Sequence, residues 1–201
     1  MKRILLLATA CLFTAGAFSQ TFRHGAGLGY SVDKVELTDA RVGVYFIYAP
    51  RIDFLENDRT SLSVAVPLTV GGSFSYDYYY DGSYGTLYDD YTVNFYTNIP
   101  VMFNVNFGAG SSKANRSRFG GYIGGGFGYN YNASTDDAIY DEYGNAELIN
   151  TGGSTFGPAA NGGFRIRTGR QSKNIEIRMY YFRGLSSARL NLFQLGCLFN
   201  F

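Results

Sequence analysis

Six charged residues form the clearest chemical constellation in the chain: Arg51, Asp53, Arg165, Arg167, Glu176 and Arg178. Each occupies an alternate position in a segment whose other positions are apolar, so in extended strands all six point to the polar side. If the turn Arg170-Gln171-Ser172-Lys173 is symmetric, Arg167 lies opposite Glu176 and Arg165 opposite Arg178, which sets one carboxylate among three guanidiniums. Arg51 and Asp53 belong at a similar height, with Arg23 toward the end of the strands. Enclosed charges must pair or stay hydrated, because an unpaired buried ion is costly. The expected result is a plug of ion pairs and water in preference to an ion pathway; the positive excess would make any residual pathway favour anions.

A second set mixes tyrosine with acid: Tyr78, Tyr79, Tyr80 and Tyr84 between Asp77 and Asp90, and Tyr140 and Tyr143 between Ala133 and Thr155. Tyrosine supplies broad contact area at small entropic cost, which makes these connections candidate binding loops for an unidentified extracellular ligand. As solvated rims they need no ligand at all. Their acids do not match the spacing of a calcium loop. The single histidine, His24, falls on the apolar parity near one strand end with no neighbouring Asp, so it is not read as a catalytic base. The glycine-rich stretches at 25–29 and 120–126 precede no helix and are not phosphate cradles. Inward glycines are expected to make room for large neighbours such as Tyr45, Tyr96, Tyr122 and Tyr180. No catalytic residue, metal site or cofactor is expected.

The walls that hold these groups are legible in residues 91–107, YTVNFYTNIPVMFNVNF. Val93, Phe95, Ile99, Val101, Phe103 and Val105 alternate with Asn94, Asn98, Asn104 and Asn106, a period of two that no helix sustains. Strands of soluble domains usually stop near ~6 residues. Tilted by ~45°, this one stands roughly 40 Å tall, taller than the ~25 Å apolar band of an outer-membrane barrel. Seven more alternating segments follow the same rule: about 22–32, 40–54, 60–76, from 119 onward, 156–168, 174–182, and a last one ending at Phe201. A soluble sandwich or lipocalin-like barrel would also alternate, with the apolar face inward. Eight strands, however, enclose only enough space for side chains or one small ligand, and this apolar face is too large to fit. The fold class expected is therefore all-β, an eight-stranded antiparallel up-and-down transmembrane β-barrel. With both termini in the periplasm, Phe22, Phe54, Phe107, Phe119, Phe199 and Phe201 make a lower aromatic girdle, and Tyr30, Tyr76, Tyr91, Tyr129 and Tyr181 an upper one.

Residues 1–19 read as an export signal: Lys2 and Arg3, an apolar run from Ile4 to Phe13, then Ala17-Phe18-Ser19. Two of the 17 basic residues and none of the 16 acidic ones leave with it, so residues 20–201 carry 15 against 16, or −1. That balance excludes a nucleic-acid partner. Cys197 remains without a second cysteine, so no intramolecular disulfide forms. Residues 20–201 suit one domain, and no apolar run there approaches the ~20 residues of a spanning helix. A membrane must be crossed by a closed sheet.

The last segment, residues 190–201, has Phe193, Leu195, Phe199 and Phe201 at alternate positions ending on a terminal phenylalanine, and resembles the assembly signal of bacterial outer-membrane barrels. With the glycine-rich strands, residues 20–201 resemble the small eight-stranded outer-membrane barrels of OmpA and OmpX type. The resemblance implies a Gram-negative outer membrane, contact with its lipid, insertion by the barrel-assembly machinery and a monomer; it implies no reaction. A surface-binding or structural protein is the reading adopted. A small porin-like channel is the alternative, and a lipid-modifying enzyme a more distant one, since such enzymes of similar architecture use a histidine with a serine near the extracellular rim.

Overall fold

The alternation of large aliphatic and polar residues is realised as eight antiparallel strands. The computed structural model describes residues 20–35, 40–81, 86–133, 136–140, 146–150, 152–169, 173–186 and 189–201, with backbone alone at 75–81, 86–92, 136–140 and 146–150. The export signal expected over residues 1–19 lies outside these, as do Tyr84 and Tyr143. Strand β1 comprises Thr21–Arg23 and Gly25–Lys34, β2 Arg41–Tyr48 and Arg51–Phe54, and β3 Thr60–Ala65 and Leu68–Asp81. Then come β4 (Thr86–Gly108), β5 (Phe119–Ala133), β6 (Gly153–Arg167), β7 (Asn174–Arg183) and β8 (Asn191–Asn200). The breaks in β2 and β3 fall at Pro50 and Pro67, face to face, and Val66 N donates across them to Pro50 O at 3.1 Å, so the register is undisturbed.

Each strand pairs with its neighbours in sequence, and β8 closes the sheet on β1. Starting at Phe22, successive partners are Ile52, Val64, Phe103, Gly125, Ala160, Tyr181 and Phe193, and the circuit returns to β1 at Val32, ten residues beyond its start. Eight strands with that stagger tilt by roughly 40°, as closed barrels require. Val101, Phe103 and Val105 point outward and are 43 to 61% exposed, while Asn94, Asn98, Asn104 and Asn106 are buried inside. Phe22, Leu28, Val44, Phe46, Val70, Ile123, Phe127 and Met179 extend the same exposed belt around the barrel. So much contiguous apolar surface is stable against lipid, not water. Of the two girdles, Phe22, Phe107, Phe119, Phe199 and Phe201 are exposed at the end that carries the termini, and Tyr30 and Tyr181 are exposed beyond mid-barrel. Phe54 and Tyr129 are half-buried.

Three features depart from expectation. First, the connection at 77–90 is mostly a ribbon: β3 and β4 stay paired from Asp77↔Asp90 to Asp81↔Thr86, since tyrosine-rich tracts favour extended backbone. Asp136–Tyr140 likewise pairs with Ala146–Asn150. Second, the interior is not uniformly polar. Ile47, Met102, Phe182, Leu192 and Leu198 are fully buried within it, filling a barrel too narrow for much solvent. Third, the β6–β7 register is two residues away from the symmetric-turn expectation. Arg165 faces Glu176, Arg167 faces Asn174, and Arg178 faces Gly163. The turn closes with Thr168 N donating to Lys173 O at 2.9 Å, and Gly169 takes a φ of +83° that suits glycine. The turn is thereby centred one residue earlier than assumed, and moving the centre of a hairpin by one shifts every cross-strand partner by two.

Some of the inward glycines sit beneath tyrosines, while others, such as Gly27 and Gly126, face the backbone of the neighbouring strand. A Cβ on Gly29 would stand 2.5 Å from Tyr45 Cζ, and one on Gly71 2.6 Å from Tyr96 Cζ; Tyr122 lies over Gly163 and Tyr180 against Gly128. Gly71→Val is expected to cost about 1–3 kcal/mol through overpacking. Gly72→Val, whose nearest neighbour is Asn94 O at 3.6 Å, should be nearly silent. Urea unfolding followed by circular dichroism tests this; equal losses at the two positions would refute the interlock.

Candidate functional site in the barrel lumen

Glu176 is the hub of the lower lumen, the half nearest the termini. Tyr122 donates its hydroxyl to Oε1 at 2.7 Å, while Arg165 Nε at 2.7 Å and Asn200 Nδ2 at 3.0 Å donate to Oε2. Arg165 also donates to Asn106 Oδ1 at 2.9 Å and lays its guanidinium over the Tyr122 ring, 4.3 Å from the centroid. Asn106 in turn donates to Ser63 Oγ at 2.9 Å. The cluster therefore ties β3 through β8 together around one carboxylate. Charge-assisted bonds of this kind are the strong ones, and burial makes each indispensable to the others.

Asp53 anchors a second group, with Arg23 Nε at 2.7 Å and Arg51 Nε at 3.3 Å. Arg51 also donates to the Gly110 carbonyl at 2.8 Å. That bond reaches a segment the sequence reading passed over as a polar connection. Between β4 and β5 the chain folds back so that Ala109, Ser111, Ser112 and Asn115 are buried against the barrel end. Asn115 clamps this strap: its Nδ2 donates to Asp58 O at 2.7 Å and its Oδ1 accepts from Ser117 N at 2.8 Å. Arg167 donates to the Asn115 carbonyl, so it serves the strap and not Glu176. The small residues Ala109-Gly110-Ser111-Ser112 were the only signal for a segment that enters a narrow opening. Asn115→Ala is expected to cost about 1–2 kcal/mol in unfolding free energy and to speed hydrogen exchange at the Ser111 and Ser112 amides. Unchanged exchange would mean that the strap is held without the clamp.

Arg178 stands apart. It is 3% exposed and stacks on the Tyr180 ring at 5.4 Å, and its buried Nε has no hydrogen-bond partner. Toward the other end of the lumen Asp33 and Arg41 form a further buried pair at 2.7 Å, which the sequence reading did not single out.

Of the loop tyrosines, Tyr78, Tyr79 and Tyr80 have backbone paired with Asp89, Tyr88 and Leu87, and Tyr140 pairs with Ala146. Phe193, Leu195, Phe199 and Phe201 are exposed on the outer face. His24 joins the last of them: its ring lies 4.3 Å from that of Phe201 and 5.6 Å from that of Phe22, and Nδ1 is 3.2 Å from the Tyr48 hydroxyl. This is an aromatic cluster at the sheet seam, and no serine or carboxylate is among those contacts. No described group of three His, Cys, Asp or Glu could hold a metal.

No family model matches the chain, and no curated protein matches its sequence. Among solved structures, that of Neisserial surface protein A covers 90% of this chain and 97% of its own at 13% identity, with a TM-score of 0.56. Ail, the attachment invasion locus protein of Yersinia pestis, solved with the heparin analogue sucrose octasulfate, aligns more loosely: TM-score 0.42, 15% identity, 90% of this chain and 99% of that one. The outer membrane enzyme PagL gives 0.43 at 8% identity over 87% of this chain and 97% of its own.

Proposed function

Because the chain has the fold of the small eight-stranded outer-membrane barrels, with the apolar exterior that lipid demands, we propose that it is an integral outer-membrane protein with a closed lumen that acts through its projecting hairpins, without catalysis. The observation that carries this reading is the filling of the lower lumen. The Glu176 hub and the Asp53 group cross it, and the strap that ends at Asn115 covers it. Two voids, in the lower lumen and beside Thr155, measure about 20 and 30 Å³, each room for about one water.

The paired backbone of 77–81 with 86–90 carries the tyrosine-acid tract away from the closed part of the barrel. Tyr78, Tyr79, Tyr80, Tyr84, Tyr140 and Tyr143 are its proposed contact residues toward an extracellular ligand. Planar-bilayer recording of the purified protein is expected to give no steps above baseline, and steady anion-selective steps would replace this reading with the channel. Retention of a partner from envelope or host fractions should fall when both hairpins are shortened to tight turns; equal retention by the shortened barrel would remove the binding role.

A further inference from the structure

We propose that the lower lumen holds one small monovalent anion, of chloride size, against the Arg178 guanidinium. Four arginines are buried there, Arg23, Arg51, Arg165 and Arg178, against two carboxylates, Asp53 and Glu176. Arg165 takes Glu176, and Arg23 and Arg51 share Asp53. Arg178 is left over, and its buried Nε has no hydrogen-bond partner. Glu176 is spent on other donors, Tyr122, Arg165 and Asn200, and its ion pair is with Arg165. A buried guanidinium without a counter-charge is among the costliest arrangements in a protein.

The void of about 20 Å³ supplies the place for the missing charge. Three arginines, Arg178, Arg165 and Arg51, line it against one carboxylate, Glu176, together with Asn104, Asn161, Asn200 and Tyr122. Asn104 and Asn161 leave Oδ1 unpartnered, so neither amide is held in orientation by that atom, and each can turn its Nδ2 toward an anion. Water would satisfy the hydrogen bonds of this lining but not its charge. The volume, near that of one water site, suits a halide better than a larger oxyanion.

The test uses the full folded barrel in detergent, independent of any hairpin ligand or of conductance. Crystals grown in sodium bromide are expected to show an anomalous peak within hydrogen-bond distance of Arg178. At equal ionic strength the apparent Tm should be a few degrees higher in chloride or bromide than in gluconate or phosphate, and Arg178→Met should abolish that difference. An adventitious ion only, with bromide confined to the outer surface, would overturn the proposal. So would a Tm independent of the anion, stabilisation by phosphate equal to that by chloride, or a halide effect that survives in Arg178→Met. Should the variant fail to fold, the bromide peak in the parent protein decides.

Discussion

Glu176→Ala is expected to destabilise the folded barrel by about 3–5 kcal/mol, the cost of removing one partner of a buried ion pair. Arg165 is 2% exposed and would keep only its bond to Asn106, while the Tyr122 hydroxyl and the Asn200 amide would lose the acceptor they share. Each orphaned donor adds its own desolvation cost, and the positive excess of the lower lumen would rise further. Glu176→Gln keeps the shape and one acceptor oxygen but not the charge, and should fall between parent and alanine. The double variant Arg165→Met with Glu176→Leu should recover much of the loss, because an apolar pair of similar volume removes the unpaired charge. The chain has no tryptophan, so circular dichroism and the gel shift between folded and heated protein are the suitable readouts. A loss below about 1 kcal/mol for Glu176→Ala would mean that the hub is solvated and not enclosed.

The same cluster shows how far the sequence reaches. Parity alone places Arg51, Asp53, Arg165, Glu176 and Arg178 on the inner face, because the side-chain period of a strand is two and lipid tolerates only one of the two faces. Parity cannot choose which inward residues meet, since registers differing by two keep every residue on its face. That choice is made by the turn, where Gly169 at positive φ sets the centre, and the residues around it carry no strong hairpin signal. The strap is illegible for a related reason: Ala109 to Asn115 has no period, and its burial follows from fitting a space that exists only once the barrel has closed. The apolar layer of Ile47, Met102 and Leu198 interrupts the alternation only at single positions, and its meaning depends on the radius of the closed sheet. By contrast, the tyrosine-glycine contacts were legible because they are a volume rule within one inner face.

The placement of the outer face has the sharpest test at Val101, which lies midway along the outward row of β4 between Val93 and Phe107, is 43% exposed, and pairs with Phe127 on β5. In phospholipid vesicles Val101→Arg is expected to lower the unfolding free energy by about 2–4 kcal/mol, the cost of a cation at the bilayer midplane. Phe107→Arg, at the girdle near the strand end, should cost about 0–1 kcal/mol because the side chain reaches the headgroups. Val101→Leu, which keeps the surface apolar, should be close to neutral. The gradient is the informative quantity, since a soluble barrel with a solvated exterior would accept arginine equally at both heights. Urea unfolding in vesicles, followed by circular dichroism, resolves the three variants. If Val101→Arg folds as stably as the parent in lipid, or if the parent stays monodisperse in buffer without detergent, the valine and phenylalanine belt does not face hydrocarbon.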